Sequence, residues 1–183
     1  LDSAIIFSDI LLVPYALGQK VEFIKNKGPN LSKFKIEKFL ENKKNIFKEK
    51  LNPIYKAITI TRKKLRKEKS LIGFIGAPWT LLVYMLGLKE NKNQINIEDF
   101  KKQGQNINLI LNNLIDYLCI HIEEQVNAGV DVIQIFDSWA GLLPDKSLQK
   151  LCFEPNLKIV NFCKRKNIPV ICFPKGIREK YQE

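Results

Sequence analysis

The sequence predicts an α/β fold in which parallel strands alternate with helices. Four short apolar runs are rich in β-branched or aromatic residues and lack strict polar alternation, which is the pattern of strands buried on both faces. Helical patterns lie between these runs, and that alternation is typical of a parallel sheet. The predicted strands are residues 4–7, 71–75, 130–136 and 168–173.

Three segments outside the predicted strands have helical patterns. Apolar residues recur every three to four positions over residues 107–126, and Gly129 just beyond them predicts the end of that helix. A second helix is predicted to begin near Pro53, because proline suits a first helical turn. A third is predicted over about residues 147–166, with a local adjustment at Pro155.

The residues leave two arrangements of the sheet open, a (β/α)8 barrel and a doubly wound sheet. A complete barrel needs about 250 residues, so the 183 residues here could supply only part of one. No strand is followed by a glycine-rich phosphate loop or a dinucleotide-binding fingerprint, which modestly favours the barrel.

The length fits one domain over residues 1–183, and 45% hydrophobic with 27% charged residues is typical of a globular protein. The chain begins with Leu1 rather than Met, and residues 178–183 follow a strand-like segment without a closing element. We therefore expect a fragment of a longer protein.

The chain is strongly basic, with a formal net charge of +11 from 30 Lys and Arg against 19 Asp and Glu. Such a field attracts polyanions, whether nucleic acid, anionic lipid or a small polycarboxylate. Basic runs such as residues 63–67 alternate with apolar helix positions, which favours scattered solvated charges over a nucleic-acid-binding surface.

The cysteines and the single histidine predict no metal site. His121 lies two residues from Cys119, and positions two apart do not share a helix face. The cysteines have neither close metal-ligand spacing nor, in a chain of this size, the pattern of a disulfide scaffold. We expect reduced, mostly buried thiols in a cytoplasmic protein. The four are Cys119, Cys152, Cys163 and Cys172.

An uncharged stretch at residues 71–88 is barely long enough to cross a bilayer. Gly73, Gly76 and Pro78 interrupt it and predict a junction between a strand and a loop. The sequence therefore predicts no membrane span here.

Polar residues follow each predicted strand. Asp9 follows the first strand, and Thr80 lies shortly after the second. Asp137 and Ser138 follow the third, and Lys175 follows the fourth. In a parallel barrel these junctions meet at the rim formed by the C-terminal strand ends, where barrel enzymes place their chemistry.

These side chains also have purely structural interpretations. Asp9 could cap a helix or accept a structural hydrogen bond, and the same applies more strongly to Thr80, Asp137 and Ser138.

The aromatic residues near the rim have structural interpretations as well. Tyr84 lies one helical turn after Thr80, and its alternative role is a core tyrosine with a satisfied hydroxyl. Trp79 and Trp139 could line a pocket for a flat ligand, although packing is the default for both.

Four sequence blocks occur in order along the whole chain. The first is FSDIL at residues 7–11, continued by ALG at 16–18, VEF at 21–23 and GP at 28–29. The others are GFIGAPWTL at 73–81, IFDSWAG at 135–141 and FPKG at 173–176. Together they resemble the uroporphyrinogen decarboxylase family, with Ile75 where that family often has alanine.

The resemblance implies a (β/α)8 TIM barrel of which this chain holds about half, working as a homodimer in the cytoplasm without a metal or organic cofactor. It implies decarboxylation of the four acetate side chains of uroporphyrinogen III to give coproporphyrinogen III, in porphyrin and heme biosynthesis. The substrate is a small polycarboxylate, and neither nucleic acid nor a membrane is an implied partner.

The resemblance also implies roles for three residues. Asp9 matches the catalytic aspartate that binds the pyrrole N–H groups and stabilises the protonated pyrrole. Tyr84 matches a substrate-binding tyrosine of the second block. Ser138 matches a substrate-binding serine of the third block.

Two family motifs are not in this chain. The arginine motif that binds substrate carboxylates would precede Leu1, and the histidine motif would follow Glu183, so we expect the chain alone to be inactive. His121 is not that histidine. The alternatives are a zinc-dependent corrinoid methyltransferase of the same superfamily, a basic nucleic-acid-binding protein, and a degenerate member without activity.

Overall fold

The structure is a computed structural model that describes residues 2–25, 28–88 and 106–177. Leu1 and residues 178–183, on which the expectation of a fragment rests, lie outside the described residues. The strands are β1 Ser3–Ile5, β2 Val21–Ile24, β3 Gly28–Leu31, β4 Ser70–Gly76, β5 Val132–Asp137 and β6 Val170–Pro174. Four of them form a parallel sheet in the order β1-β4-β5-β6, and β2 and β3 form an antiparallel hairpin.

Helices connect the strands of the parallel sheet. They are α1 Leu12–Ala16, α2 Ile36–Leu40, α3 Lys44–Lys64, α4 Pro78–Met85, α5 Ile107–Asn127, α6 Asp145–Leu148 and α7 Glu154–Arg165. A 3₁₀ turn at Ala140–Leu142 and a π-helical segment at Gln149–Phe153 lie between β5 and α7. The predicted α/β class with a parallel sheet is confirmed.

All four predicted strands are present, and they differ from the prediction only at their ends. β1 pairs with β4 as far as Ile5 and Ile72, so residues 6–7 extend beyond the ladder. β5 begins later than predicted, because the N–H of Val130 still donates to the carbonyl of Gln125 at the end of α5.

A buried glutamine completes the hydrogen bonding of β4 where β1 ends. Alternate residues of a strand direct their backbone groups to the same side. Ser70 donates to the carbonyl of Asp2 on the β1 side, so Phe74 also faces that side. Its N–H donates to Gln125 Oε1 at 3.2 Å, and its carbonyl accepts from Nε2 at 3.1 Å. Gly73 leaves room, since a Cβ there would lie 2.5 Å from Gln125 Oε1.

The predicted start of the second helix near Pro53 is wrong, because α3 begins at Lys44 and contains Pro53. A proline inside a helix costs about 3 kcal/mol, through a lost hydrogen bond and a steric clash. The turns before it carry Phe47 and Leu51, both 0% exposed. Each contributes about 1.5–3 kcal/mol when buried, so the buried apolar face offsets the proline.

The third predicted helix is confirmed, and its adjustment lies just before Pro155. The chain forms α6, the π-helical segment and then α7, with Pro155 in the first turn of α7. A π-helical segment adds residues to a helical turn, and such segments are frequent at functional sites. The first helix, α5, ends at Asn127 before Gly129, whose φ of +115° suits the predicted helix end.

The two faces of the sheet differ in burial. On one face, large apolar residues of the two central strands, β4 and β5, pack beneath the helices and are at most 1% exposed: Leu71, Ile75, Ile133 and Ile135. On the other face, large apolar side chains at the two edge strands are 45% to 84% exposed: Ile5, Phe7, Ile171 and Phe173. In a closed barrel, this second face is the packed interior.

The uncharged stretch at residues 71–88 contains β4 and the eight residues of α4. Within residues 2–25, 28–88 and 106–177, none of the helices combines the length and the hydropathy that crossing a bilayer requires.

A buried tyrosine–histidine pair joins α3 to α5. Tyr55 Oη lies 2.9 Å from His121 Nδ1, and His121 is only 3% exposed. Burial lowers the pKa of His121 from 6.5 to about 4. The folded protein therefore holds this imidazole neutral well below the pH at which an exposed histidine takes up a proton.

This pair predicts a loss of stability in mild acid. Because the pKa of His121 is lower in the folded state, the unfolded chain takes up the proton first as the pH falls below 6.5. The free energy of unfolding should fall by about 2 kcal/mol between pH 7 and pH 5 in urea titrations. The double variant Tyr55→Phe/His121→Leu removes both polar partners and should lose this dependence. An equal pH dependence in that variant would assign the effect to other groups.

Candidate active site

Asp9 lies at the end of the first strand segment, in the turn that leads into α1. Its side chain is half-buried, and Oδ1 accepts a hydrogen bond from the Leu11 N–H at 2.8 Å. Its carbonyl accepts from the Leu12 N–H at 3.1 Å. The structural role considered for Asp9 is therefore present. Among the described residues, the other carboxylate oxygen of Asp9, Oδ2, has no hydrogen-bond partner.

Asp137 is a carboxylate buried at the end of β5, only 1% exposed. Three side chains from two other parts of the chain donate to it. Thr80 Oγ1 on α4 lies 2.7 Å from Oδ1, and Cys152 Sγ and Asn156 Nδ2 lie 3.2 Å and 3.1 Å from Oδ2. We call Asp137, Thr80, Cys152 and Asn156 the Asp137 network.

The environment of Asp137 has two opposing effects on the pKa of its carboxyl group. Burial raises the pKa of Asp137 above its ordinary value, because the charged form is poorly solvated. The hydrogen bonds from Thr80, Cys152 and Asn156 act in the opposite direction. The side chain thus depends on its neighbours rather than on water, which is the structural role considered for Asp137 and Thr80.

α4 contacts both polar groups of the Trp139 backbone. The N–H of Trp139 donates to Thr80 Oγ1 at 3.2 Å. Its carbonyl accepts from the indole Nε1 of Trp79 at 3.1 Å. Trp79 is fully buried, so the packing role predicted for it is confirmed. The turn after β5 is therefore fixed to the first turn of α4.

Tyr84 contacts Trp139, the residue that follows Ser138 in the chain. The ring of Tyr84 makes an edge-on contact with the Trp139 ring, with centroids 5.8 Å apart. Ser138 is exposed and lies between Asp137 and Trp139 in the chain. The structure thus places Tyr84 beside the turn that carries Ser138.

The chain neighbour of Asp9 lies against the second sequence block. Ile10 packs at the end of β4, where a Cβ on Gly76 would lie 3.1 Å from the Cβ of Ile10. Within the described residues, Asp9 makes no hydrogen bond to Tyr84 or Ser138. Asp9 follows β1 and Ser138 follows β5 at the C-terminal strand ends, and Tyr84 lies on α4, the helix that begins just after β4.

Backbone hydrogen bonds link the loop after β5 to the loop after β6. Lys175 donates to the carbonyl of Asp137 at 3.0 Å, and Gly141 donates to the carbonyl of Lys175 at 2.9 Å. A Cβ on Gly141 would lie 2.9 Å from the carbonyl oxygen of Gly176, so only glycine fits here. The third and fourth sequence blocks are therefore in contact.

Two members of the Asp137 network escaped the sequence analysis. Cys152 was expected only to be a buried thiol, and Asn156 was not singled out. They are four residues apart, a spacing that places side chains on one helix face. That spacing alone could not show that Cys152, in the π-helical segment, and Asn156, in the first turns of α7, both reach Asp137.

The described cysteines are free, and two of the four are buried, Cys152 and Cys163, whereas Cys119 is half-buried and Cys172 is exposed. Burial raises the pKa of Cys119 to about 12 and that of Cys163 to about 11, and it also raises the pKa of Cys152 and Cys172. Among residues 2–25, 28–88 and 106–177, no group of three or more His, Cys, Asp or Glu side chains is arranged to hold a metal ion.

Comparison with known proteins identifies the family. The sequence profile of uroporphyrinogen decarboxylase matches residues 1–182. The chain belongs to the uroporphyrinogen decarboxylase family. It is 42% identical to the uroporphyrinogen decarboxylase of Orientia tsutsugamushi (strain Ikeda), over 100% of this chain and 54% of that protein. It is 43% identical to that of Campylobacter jejuni (serotype O:23/36, strain 81-176), over 96% of this chain and 53% of that protein.

The chain spans about half the length of these uroporphyrinogen decarboxylases. In structure it resembles a methyltransferase from Methanosarcina mazei, with a TM-score of 0.65 and 20% identity, over 94% of this chain and 51% of that one. That neighbour has a TIM-barrel-type fold, and the likeness supports the predicted barrel architecture. The four parallel strands correspond to half of an eight-stranded barrel.

The close approach of the two rim loops predicts the effect of adding one methyl group. In Gly141→Ala, the new Cβ would meet the backbone of Gly176, which cannot rotate away as a side chain could. The free energy of unfolding should fall by about 1–3 kcal/mol in urea titrations. An unchanged unfolding midpoint with an unchanged slope would show that the loops are not packed in this way.

Proposed function

We propose that this chain is a single domain that forms half of the barrel of an enzyme. That enzyme decarboxylates the four acetate side chains of uroporphyrinogen III. The product is coproporphyrinogen III, an intermediate of porphyrin and heme biosynthesis. The observation that carries the proposal is that the family blocks fall at the C-terminal ends of adjacent parallel strands, with the carboxylate of Asp9 among them. Active sites of barrel enzymes lie at that end.

The reaction needs a place for the electrons that carbon dioxide leaves behind. Protonation of the adjacent pyrrole carbon makes the ring cationic, so the ring itself can accept them. In other decarboxylases a cofactor accepts these electrons, and we propose that no cofactor is required here. The protein's task is then to stabilise a positive ring in a site from which water is excluded.

Asp9 is the residue that we assign to this task. An ionised carboxylate directed at the pyrrole N–H groups stabilises the ring through charge-assisted hydrogen bonds. The attraction grows as the ring becomes cationic, so it lowers the barrier rather than merely binding the substrate. The bond from Leu11 to Oδ1 fixes the orientation of the side chain and leaves Oδ2 for the substrate.

Tyr84 and Ser138 are proposed to bind a substrate carboxylate. Both carry a hydroxyl donor, and the contact of Tyr84 with Trp139, the residue after Ser138, supports a shared role. The net charge of +11 provides a further attraction, since the substrate carries eight carboxylates and a positive field favours their approach.

The remainder of the site is proposed to come from residues outside this chain. The exposed apolar face of the sheet would then become the interior of a closed barrel, in a cytoplasmic homodimer. We use the term complete protein for a polypeptide that carries both halves. Because the chain spans about half the length of its relatives, the 183-residue chain alone is expected to show no turnover.

The alternative functions have less support. The structural likeness to a methyltransferase concerns the fold alone at 20% identity, whereas the family match covers residues 1–182. Family membership therefore favours decarboxylation over zinc-dependent methyl transfer, and no specific observation favours nucleic-acid binding.

The role of Asp9 predicts a specific loss of catalysis. Asp9→Asn retains an oxygen that can accept from Leu11 but removes the charge. In the complete protein, turnover of uroporphyrinogen should fall about 100- to 1,000-fold, the usual effect of removing one such stabilising group. Stability should change little, because the local turn keeps its hydrogen bond.

A matched variant controls for the loss of a surface charge. Asp2→Asn makes the same change at the opposite end of β1, where Asp2 forms an exposed ion pair with Lys69 at 3.4 Å. This variant should retain full turnover. Turnover of Asp9→Asn within a few-fold of the unmodified protein would remove Asp9 from the mechanism.

A further inference from the structure

The turn that carries Ser138 is held by the buried carboxylate of the preceding residue. Asp137 precedes Ser138 and cannot turn toward water, since it is 1% exposed and lies within the Asp137 network. Its carbonyl accepts from Lys175, so the backbone of Asp137 is held as well. The residue before Ser138 is therefore held through both its side chain and its backbone.

Hydrogen bonds from α4 hold the same turn. Thr80 Oγ1 donates its proton to Asp137 at 2.7 Å and accepts from the Trp139 N–H at 3.2 Å. A hydroxyl has one proton and two lone pairs, so Thr80 can make both bonds at once. This single side chain, which is fully buried, thus bonds to the residues on both sides of Ser138.

Tyr84 is positioned by the same helix. It lies one turn after Thr80 on α4, and its ring packs against the ring of Trp139. Any movement of the Ser138 turn relative to α4 would change the separation between Tyr84 and Ser138.

We propose that Thr80 and Asp137 are positioning residues that set the distance between Tyr84 and Ser138 and thereby the affinity of the site for a substrate carboxylate. The inference rests on the proposed function. Neither residue needs to touch the substrate, because the hydrogen bonds act through the Ser138 turn. A group displaced by a fraction of a bond length loses much of its contribution to binding and catalysis.

A matched pair of variants isolates the Thr80 hydroxyl in the complete protein. Thr80→Val keeps the shape of the side chain and removes both hydrogen bonds, whereas Thr80→Ser keeps the hydroxyl. In Thr80→Val, hydrogen exchange of the Trp139 amide should accelerate about three- to tenfold, the factor expected for one lost buried hydrogen bond. The amide of Phe74, which bonds to Gln125, serves as the internal reference for global destabilisation.

The kinetic readout distinguishes positioning from general stability. Thr80→Val should raise KM for uroporphyrinogen about tenfold, with a smaller fall in kcat, since weakened binding appears mainly in KM. Thr80→Ser should restore both the exchange rate and KM toward the original values. Thr59→Val is the control, because the Thr59 hydroxyl is also hydrogen-bonded, in this case to the carbonyls of Tyr55 and Ala128, but lies on α3. It should leave the Trp139 exchange rate and KM unchanged.

Two results would overturn the inference. One is an unchanged exchange rate at Trp139 in Thr80→Val, and the other is faster exchange with an unchanged KM. An unmodified complete protein without turnover would instead contradict the proposed function. The exchange rate in Thr80→Val would then still decide whether the hydroxyl holds the turn, and an unchanged rate would reject that role.

Discussion

The burial of Asp137 is the constraint on which the rim of this half-barrel depends. A carboxylate removed from water is costly unless its neighbours replace the lost solvation. Hydrogen bonds to charged groups contribute about 1.5–3 kcal/mol each, so the donors from Thr80, Cys152 and Asn156 must all remain in place. The requirement ties β5, α4 and the helical segment after β5 together at one point.

Two other contacts in the fold supply a hydrogen-bond partner or the space that close packing needs. Gln125 replaces the missing partner of Phe74 where β1 ends, and Gly73 leaves space for it. Gly141 allows the β5 and β6 loops to meet. The helix-facing side of the two central strands is thus buried, whereas the opposite side exposes Phe7 and Phe173 at the edges of the sheet. That asymmetry agrees with a chain that spans about half of its relatives' length.

Periodicity predicted the elements that repeat a simple pattern. The four parallel strands and the apolar stripe of α5 required only local sequence, and the polar residues after the strands indicated the rim. Pro53 misled the prediction of α3, because a local proline rule could not weigh the buried Phe47 and Leu51. Cys152 and Asn156 could not be predicted as partners of Asp137, since their approach depends on how the π-helical segment packs against β5.

The sequence indicated Asp9 through its place after a strand and through family resemblance, and the structure adds the bond from Leu11 that orients it. An experimental structure of the complete protein with coproporphyrinogen bound tests the account most directly. We expect Asp9 Oδ2 within about 3 Å of pyrrole nitrogens, and Tyr84 and Ser138 at one carboxylate of the same ligand. A porphyrinogen bound elsewhere, or an Asp9 side chain directed away from its nitrogens, would contradict the account.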